Sequence, residues 1–150
     1  MASLKDYKPL RLMAADSKDL EVVSACLQDA VAKLGDFSYQ PEHRRFAFVA
    51  NRFLWECFGK SKIGPFARVR AGIHFEDVIS AQFSRLRTDA KDAVVELLSI
   101  RFEEKEDGTG TVTFDFSGGG ALRLEVESIN CFMSDISDPW RTRAKPTHKE

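Results

Sequence analysis

TVTFDFSGGGALRLEVE, residues 111–127, is the stretch whose reading decides the fold. Val112, Phe114 and Phe116 alternate with Thr113, Asp115 and Ser117. Beyond the glycines, Leu122, Leu124 and Val126 alternate with Arg123, Glu125 and Glu127. Period-two alternation on both sides of a glycine cluster predicts a β-hairpin with one buried and one wet face. Opposed residues must share a face, because a slip of one residue turns every side chain over. Pairing Phe116 with Leu122, Phe114 with Leu124 and Val112 with Val126 meets that condition. It leaves Gly118, Gly119 and Gly120 as a three-residue loop, a length that needs a left-handed position. The same register sets Asp115 opposite Arg123 on the wet face.

Upstream, Asp16 or Ser17 reads as a helix N-cap, with Asp19 and Glu21 in the first turn. Leu20, Val23, Leu27, Ala30, Val31 and Leu34 follow at helical spacing, and Gly35 is the expected stop. This predicts one amphipathic helix of roughly 18 residues whose apolar stripe, Leu27 included, packs on the sheet. Residues 46–50 read FAFVA, apolar at every position. Such a run predicts a central strand buried on both faces, with the helix across one of them. Val69–Phe75, Val78–Leu86, Val95–Phe102 and Ile129–Ile136 read as further strands. Gly59–Pro65 and Glu103–Gly110 read as loops.

Ala71, Ile73, Phe75, Glu76 and Val78 match Leu122, Leu124, Val126, Glu127 and Ile129 at a constant spacing of 51. The echo suggests a duplicated four-strand unit. The expected fold class is α+β: one N-terminal helix packed on an antiparallel sheet of about eight strands, curled into a barrel or built by that duplication. Residues 1–140 form the expected domain. The Pro-, Arg- and Lys-containing segment 141–150 reads as a disordered tail.

The chain's 150 residues, 43% hydrophobic and 30% charged, suit one globular domain with its own core. A net charge of −1 gives no overall pull toward nucleic acid or membrane. Cys26, Cys57 and Cys131 are odd in number and scattered, which suits a reducing cytoplasm. No apolar run approaches the roughly 20 residues of a membrane span, and no signal-peptide core is present at the N-terminus.

Chemistry is hard to find in this sequence. Gly59-Lys60-Ser61 has the end of a phosphate-binding loop, but Leu54 stands where its first glycine belongs. His74-Phe75-Glu76 has the His-x-Glu of zinc deaminases without their cysteine pair, so no metal or other cofactor is expected. Nucleophilic catalysis needs Ser or Cys beside a base. Cys57 next to the Gly59–Pro65 loop, with His74, is the remaining enzyme or small-ligand candidate. Charge is distributed unevenly. Arg44, Arg45, Arg52, Lys60, Lys62, Arg68 and Arg70 crowd the stretch His43–Arg70 against Glu56 alone, interleaved with Phe53, Trp55, Phe58 and Phe66. Basic residues among aromatics hold single-stranded nucleic acid or meet acidic protein surfaces. The candidate binding residues are therefore Arg44, Arg45, Arg52, Trp55, Arg68, Arg70 and His74.

Leu27-Gln28-Asp29-Ala30, the run Arg44-Arg45-Phe46-Ala47 continuing to Asn51-Arg52-Phe53, and Gly118–Glu125 resemble a family of small bacterial proteins, chiefly alphaproteobacterial, catalogued as a domain of unknown function. The resemblance covers Leu10 to Trp140. It implies a bacterial cytoplasmic protein and transfers no catalytic or binding residue. The leading functional expectation is a non-catalytic binding module for a protein partner or a second copy of itself. The alternatives are an enzyme or small-ligand binder, then a nucleic-acid binder; no membrane role is expected.

Overall fold

Alternation builds a sheet far larger than a hairpin. The computed structural model describes residues 4–62 and 64–146. Its strands are β1 (Arg11–Ala14), β2 (Val31–Lys33), β3 (Ser38–Gln40), β4 (Arg45–Phe53), β5 (Phe66–Phe75) and β6 (Val78–Ser84). They continue with β7 (Val94–Glu104), β8 (Gly110–Phe116), β9 (Ala121–Val126), β10 (Cys131–Asp135) and β11 (Trp140–Thr142). Two α-helices, α1 (Ser17–Cys26) and the single turn α2 (Trp55–Phe58), complete the described elements with three 3-10 turns. The strand order is β1-β10-β5-β4-β2-β7-β8-β9-β6, with β11 beside β5 and β3 beside β4. All pairs are antiparallel.

That order has internal symmetry. Exchange β2 with β7, β4 with β8, β5 with β9 and β6 with β10, and the path from β10 to β6 reads the same backward. The sheet therefore consists of two four-strand units that have exchanged their last strands. β6 leaves β5 to pair with β9, and β10 leaves β9 to pair with β5. The chains cross at equivalent turns: Glu127 N–H donates to the Asp77 carbonyl, and Glu76 N–H to that of Asn130. The sequence echo at a spacing of 51 thus maps onto equivalent strands. The barrel alternative does not hold, because β1 and β6 end the path without pairing to each other.

Each unit spends its apolar face on the other. Phe114 of β8 meets Phe48 of β4 and Phe75 of β5, with ring centroids 5.6 Å apart in both cases. Phe37 bridges the units through Phe48, Phe83 and Phe116. Edge-to-face packing of this kind adds to the burial of large side chains. A second, smaller core joins Phe53, Leu54, Phe58, Phe66, Ala67 and Val69, and Trp55 and Cys57 pack against it.

Several expectations need correction. Asp16 does cap α1, accepting from Asp19 N–H at 2.8 Å. The helix ends at Cys26 rather than near Gly35. Leu27 and Ala30 still reach the core, but through a turn with Asp29 at φ 63°, and Val31–Lys33 pairs with β7. Tertiary pairing overrides an apolar spacing that turn and helix share. Gly35 is not a cap: a Cβ there would lie 2.9 Å from that of Lys91. β4 is central but buried on one face only, and α1 packs on β7 and β1 instead of crossing it.

The hairpin keeps its parity and shifts by two residues. Phe114 pairs with Leu122, Val112 with Leu124, and Asp115 with Ala121, so Arg123 stands opposite Thr113. Gly118 and Gly119, at φ 89° and 94°, take the left-handed loop positions. Gly120 is held out of the loop by Leu86, whose Cδ2 would be 2.4 Å from a Cβ there. At the far end, the Phe102 ring lies over Gly110, the partner of Val126. Asp115 finds its cation on the other neighbour, Arg101 of β7, at 2.8 Å. The domain also extends past residue 140, since Arg141 and Thr142 belong to β11 and Lys145 Nζ donates to the carbonyls of Gly59 and Ser61. Residues 147–150 of the expected tail lie outside the described residues.

Leu27 is fully buried where α1 ends. Leu27→Ala is expected to cost about 2–5 kcal/mol in urea denaturation. A change within about 0.5 kcal/mol, the range of a neutral surface site, would contradict the packing described.

Candidate binding site on the outer sheet face

The face of β1, β10, β5, β4 and β2 turned away from the core carries the candidate site. Strand pairing sets Arg11, Ser134, Gly72 and Val49 side by side in one row. Met13, Phe132, His74 and Ala47 form the row beside it. Three adjoining depressions of about 390, 320 and 270 Å³ run along these rows from Arg11 to Lys33. Their floor is low because Ser134, Gly72 and Val49 have short side chains or none. His74 stacked on Phe132, with ring centroids 4.8 Å apart, raises one side. Arg70 and Ile136 raise the other, and Ile136 N–H donates to the Arg70 carbonyl.

Gly72 stands out. It lies inside β5 with strands paired on both sides, where glycine weakens a sheet. The other strand glycine, Gly110, is explained by contact: a Cβ there would meet the Glu103 carbonyl oxygen at 2.3 Å. A Cβ at Gly72 would touch only Ile136, at an ordinary 3.8 Å. Neither backbone conformation nor packing requires glycine there. A glycine of this kind commonly marks close approach of a ligand or another backbone. The face also leaves apolar side chains in water: Met13 is 68% and Ile136 54% exposed.

The structure separates the candidate arginines. Arg45, Arg68, Arg70 and His74 do share the outer face. Arg45 holds Glu76 through two hydrogen bonds of 2.8 and 3.1 Å, and Glu76 accepts from His74 Nδ1 at 2.9 Å. A carboxylate can only accept, so the imidazole proton sits on Nδ1 in that bond. The Arg45 hydrogen bonds, ahead of His74, hold the Glu76 carboxyl below the usual range. Arg70 lies 3.7 Å from Asp36. Arg68 donates to the carbonyls of Asn51 and Asp29. Arg44 pairs with Glu127 across the crossing turns, and Trp55 Nε1 donates to the Gln28 carbonyl.

Arg52 leaves the set altogether. It continues the inward parity of Phe46, Phe48 and Ala50 and is wholly buried. Its guanidinium forks Asp135 through Nε and Nη2, both at 2.8 Å, and Glu56 at 3.0 and 2.8 Å. Tyr7 Oη and the Leu10 N–H also donate to Asp135. Burial alone would raise the Asp135 carboxyl; the Arg52, Leu10 and Tyr7 donors outweigh it and depress it. This network ties the N-terminal segment, β4, α2 and β10 together.

Cys57 and His74 do not meet. Cys57 packs at the second core, next to the Phe66 end of β5, and His74 lies eight residues along the strand. At a rise of about 3.3 Å per residue the two ends are about 26 Å apart. Burial raises the thiols of Cys26 and Cys57 and pushes Cys131 up to about 12, which disfavours the reactive thiolate. Among the described residues no cluster of His, Cys, Asp and Glu is placed to hold a metal ion, and no helix is long and apolar enough to cross a membrane. Sequence reasoning missed Gly72, Val49, Ala47 and Met13. Its available signal was a glycine on the wet parity of Val69–Phe75, opposite the outward Ala47 and Val49.

A family model described as a protein of unknown function (DUF2948) matches residues 10–148, and the chain belongs to that family. No curated protein matches it, and no solved structure does.

Asp135 anchors a buried pair, so Asp135→Asn is expected to cost about 3–5 kcal/mol at pH 7. A depressed carboxyl stabilises the fold above its unfolded-state pKa and loses that contribution as pH falls through its folded-state pKa. The gap between wild type and Asp135→Asn should therefore be full at pH 7 and narrow below about pH 4. Urea denaturation at stepped pH measures it; a gap that widens on acidification would contradict the assignment.

Proposed function

We propose that this DUF2948 protein is a non-catalytic binding module that docks a protein partner on the outer face of β1, β10, β5, β4 and β2. One observation carries the reading: Gly72, a central-strand glycine that the fold does not need, lines two adjoining depressions beside the exposed apolar residues Met13 and Ile136. Small side chains at the centre let another backbone come close, and Met13 and Ile136 supply apolar surface to cover. We place the protein in the bacterial cytoplasm, a setting that its three scattered cysteines suit.

Small-ligand binding at His74 is the second reading, favoured by the imidazole that Glu76 orients beside the same trough. Nucleic acid is a weaker reading. Arg52 is buried, and Arg44 and Arg45 are engaged by Glu127 and Glu76.

Gly72→Val separates fold from function. The substitution is expected to raise stability by up to about 1 kcal/mol, since a strand glycine is the weaker choice. Extract from the native cell is passed over immobilised wild-type and Gly72→Val protein. A protein retained by wild type alone is then purified and titrated by calorimetry. The expected result is binding to wild type and at least tenfold weaker binding to Gly72→Val. Equal affinity for both would overturn the proposed docking face.

A further inference from the structure

The trough has a feature that its apolar lining does not explain: each end is cationic. Arg11 on β1 and Lys33 on β2 are exposed, and among the described residues neither side chain has an ion-pair partner. Asp36, in the same depression as Lys33, lies beside Arg70, and Glu76 is held by Arg45 and His74. Five strands, β1, β10, β5, β4 and β2, separate the two cations by four spacings. At about 4.8 Å each, that is about 19 Å. Between them lie Ser134, Gly72 and Val49, which offer no charge.

We propose that the partner contributes an apolar segment flanked by acidic residues, whose carboxylates reach Arg11 and Lys33 while its apolar centre lies over Gly72. This rests on the binding reading above and adds the chemistry of the partner. A spacing of about 19 Å corresponds to about six residues of extended chain or about thirteen of helix. Charge at the ends of an apolar contact selects the partner and its register more than it adds affinity. In a second copy of this chain, the acidic turn between β7 and β8, residues 105–109, has no apolar residue to cover the trough.

The test uses a random 16-residue peptide library displayed on phage and selected on the intact wild-type protein. Selected peptides are synthesised and titrated against wild type, Gly72→Val and the double variant Arg11→Glu/Lys33→Glu. All three are checked for folding by urea denaturation and for mass by light scattering. The expected peptides have an apolar centre between acidic residues. They lose at least tenfold in affinity on Gly72→Val and at least tenfold on the double charge reversal. Raising salt from 50 to 500 mM should weaken them several-fold, because exposed ion pairs are screened. Peptides that Gly72→Val blocks but that lack acidic flanks and ignore the charge reversal would overturn this inference and leave the docking face standing. Peptides insensitive to Gly72→Val would overturn both. A wild-type dimer that Gly72→Val dissolves would make a second copy the occupant and overturn the acidic-segment assignment.

Discussion

The contact of Phe114 with Phe48 and Phe75 sets the terms for the rest of the molecule. Each four-strand unit has one strongly apolar face, and each face is used up on the other unit. Exchange of β6 and β10 makes the union hard to undo, because each unit's last strand is held in the other's ladder. Once the inner faces are joined, every outward position must be tolerable in water. On β8 and β9 it is: Thr111, Thr113, Asp115, Arg123 and Glu125 occupy it. On β4, β5 and β10 the outward positions combine Arg45, Asn51, Arg68, Arg70 and His74 with a central group of Ala47, Val49, Gly72, Phe132 and Ser134. The difference between these two outer faces is the physical basis of the functional reading.

Parity was legible in the sequence, and register was not. Alternation in residues 111–127 fixes which side chains face inward, and they do. It cannot choose between registers two residues apart, since both keep parity. That choice falls to Leu86 beside Gly120 and Phe102 over Gly110, contacts from strands and loops distant in the chain. The helix start at Asp16 was legible because capping is local. Its end was not, because Leu27 and Ala30 serve a helix or a turn equally well until β7 arrives to pair with Val31–Lys33.

The candidate site was legible only in part, and for a related reason. Counting cations along His43–Arg70 says nothing of which face each one takes. Parity places Arg52 with Phe46, Phe48 and Ala50, facing the core. Treating the apolar run FAFVA as buried on both sides hid that information. The same run held the signal for the trough, since its outward residues Ala47 and Val49 line the depressions. Arg52 is instead a structural cation, its two forks satisfied by Asp135 and Glu56. A charge so placed fixes the arrangement of β4, β10 and α2, and adds little to stability relative to an apolar core.

The central claim is that the outer face of β10, β5 and β4 is the working surface. Amide chemical shifts measured on the isotope-labelled protein, with and without a purified partner, test it most directly. The account predicts that the perturbed amides cluster in residues 11–13, 45–51, 70–74 and 132–136, with the largest changes around Gly72. Perturbations confined to the opposite half, in residues 101–105 and 111–127, would contradict it.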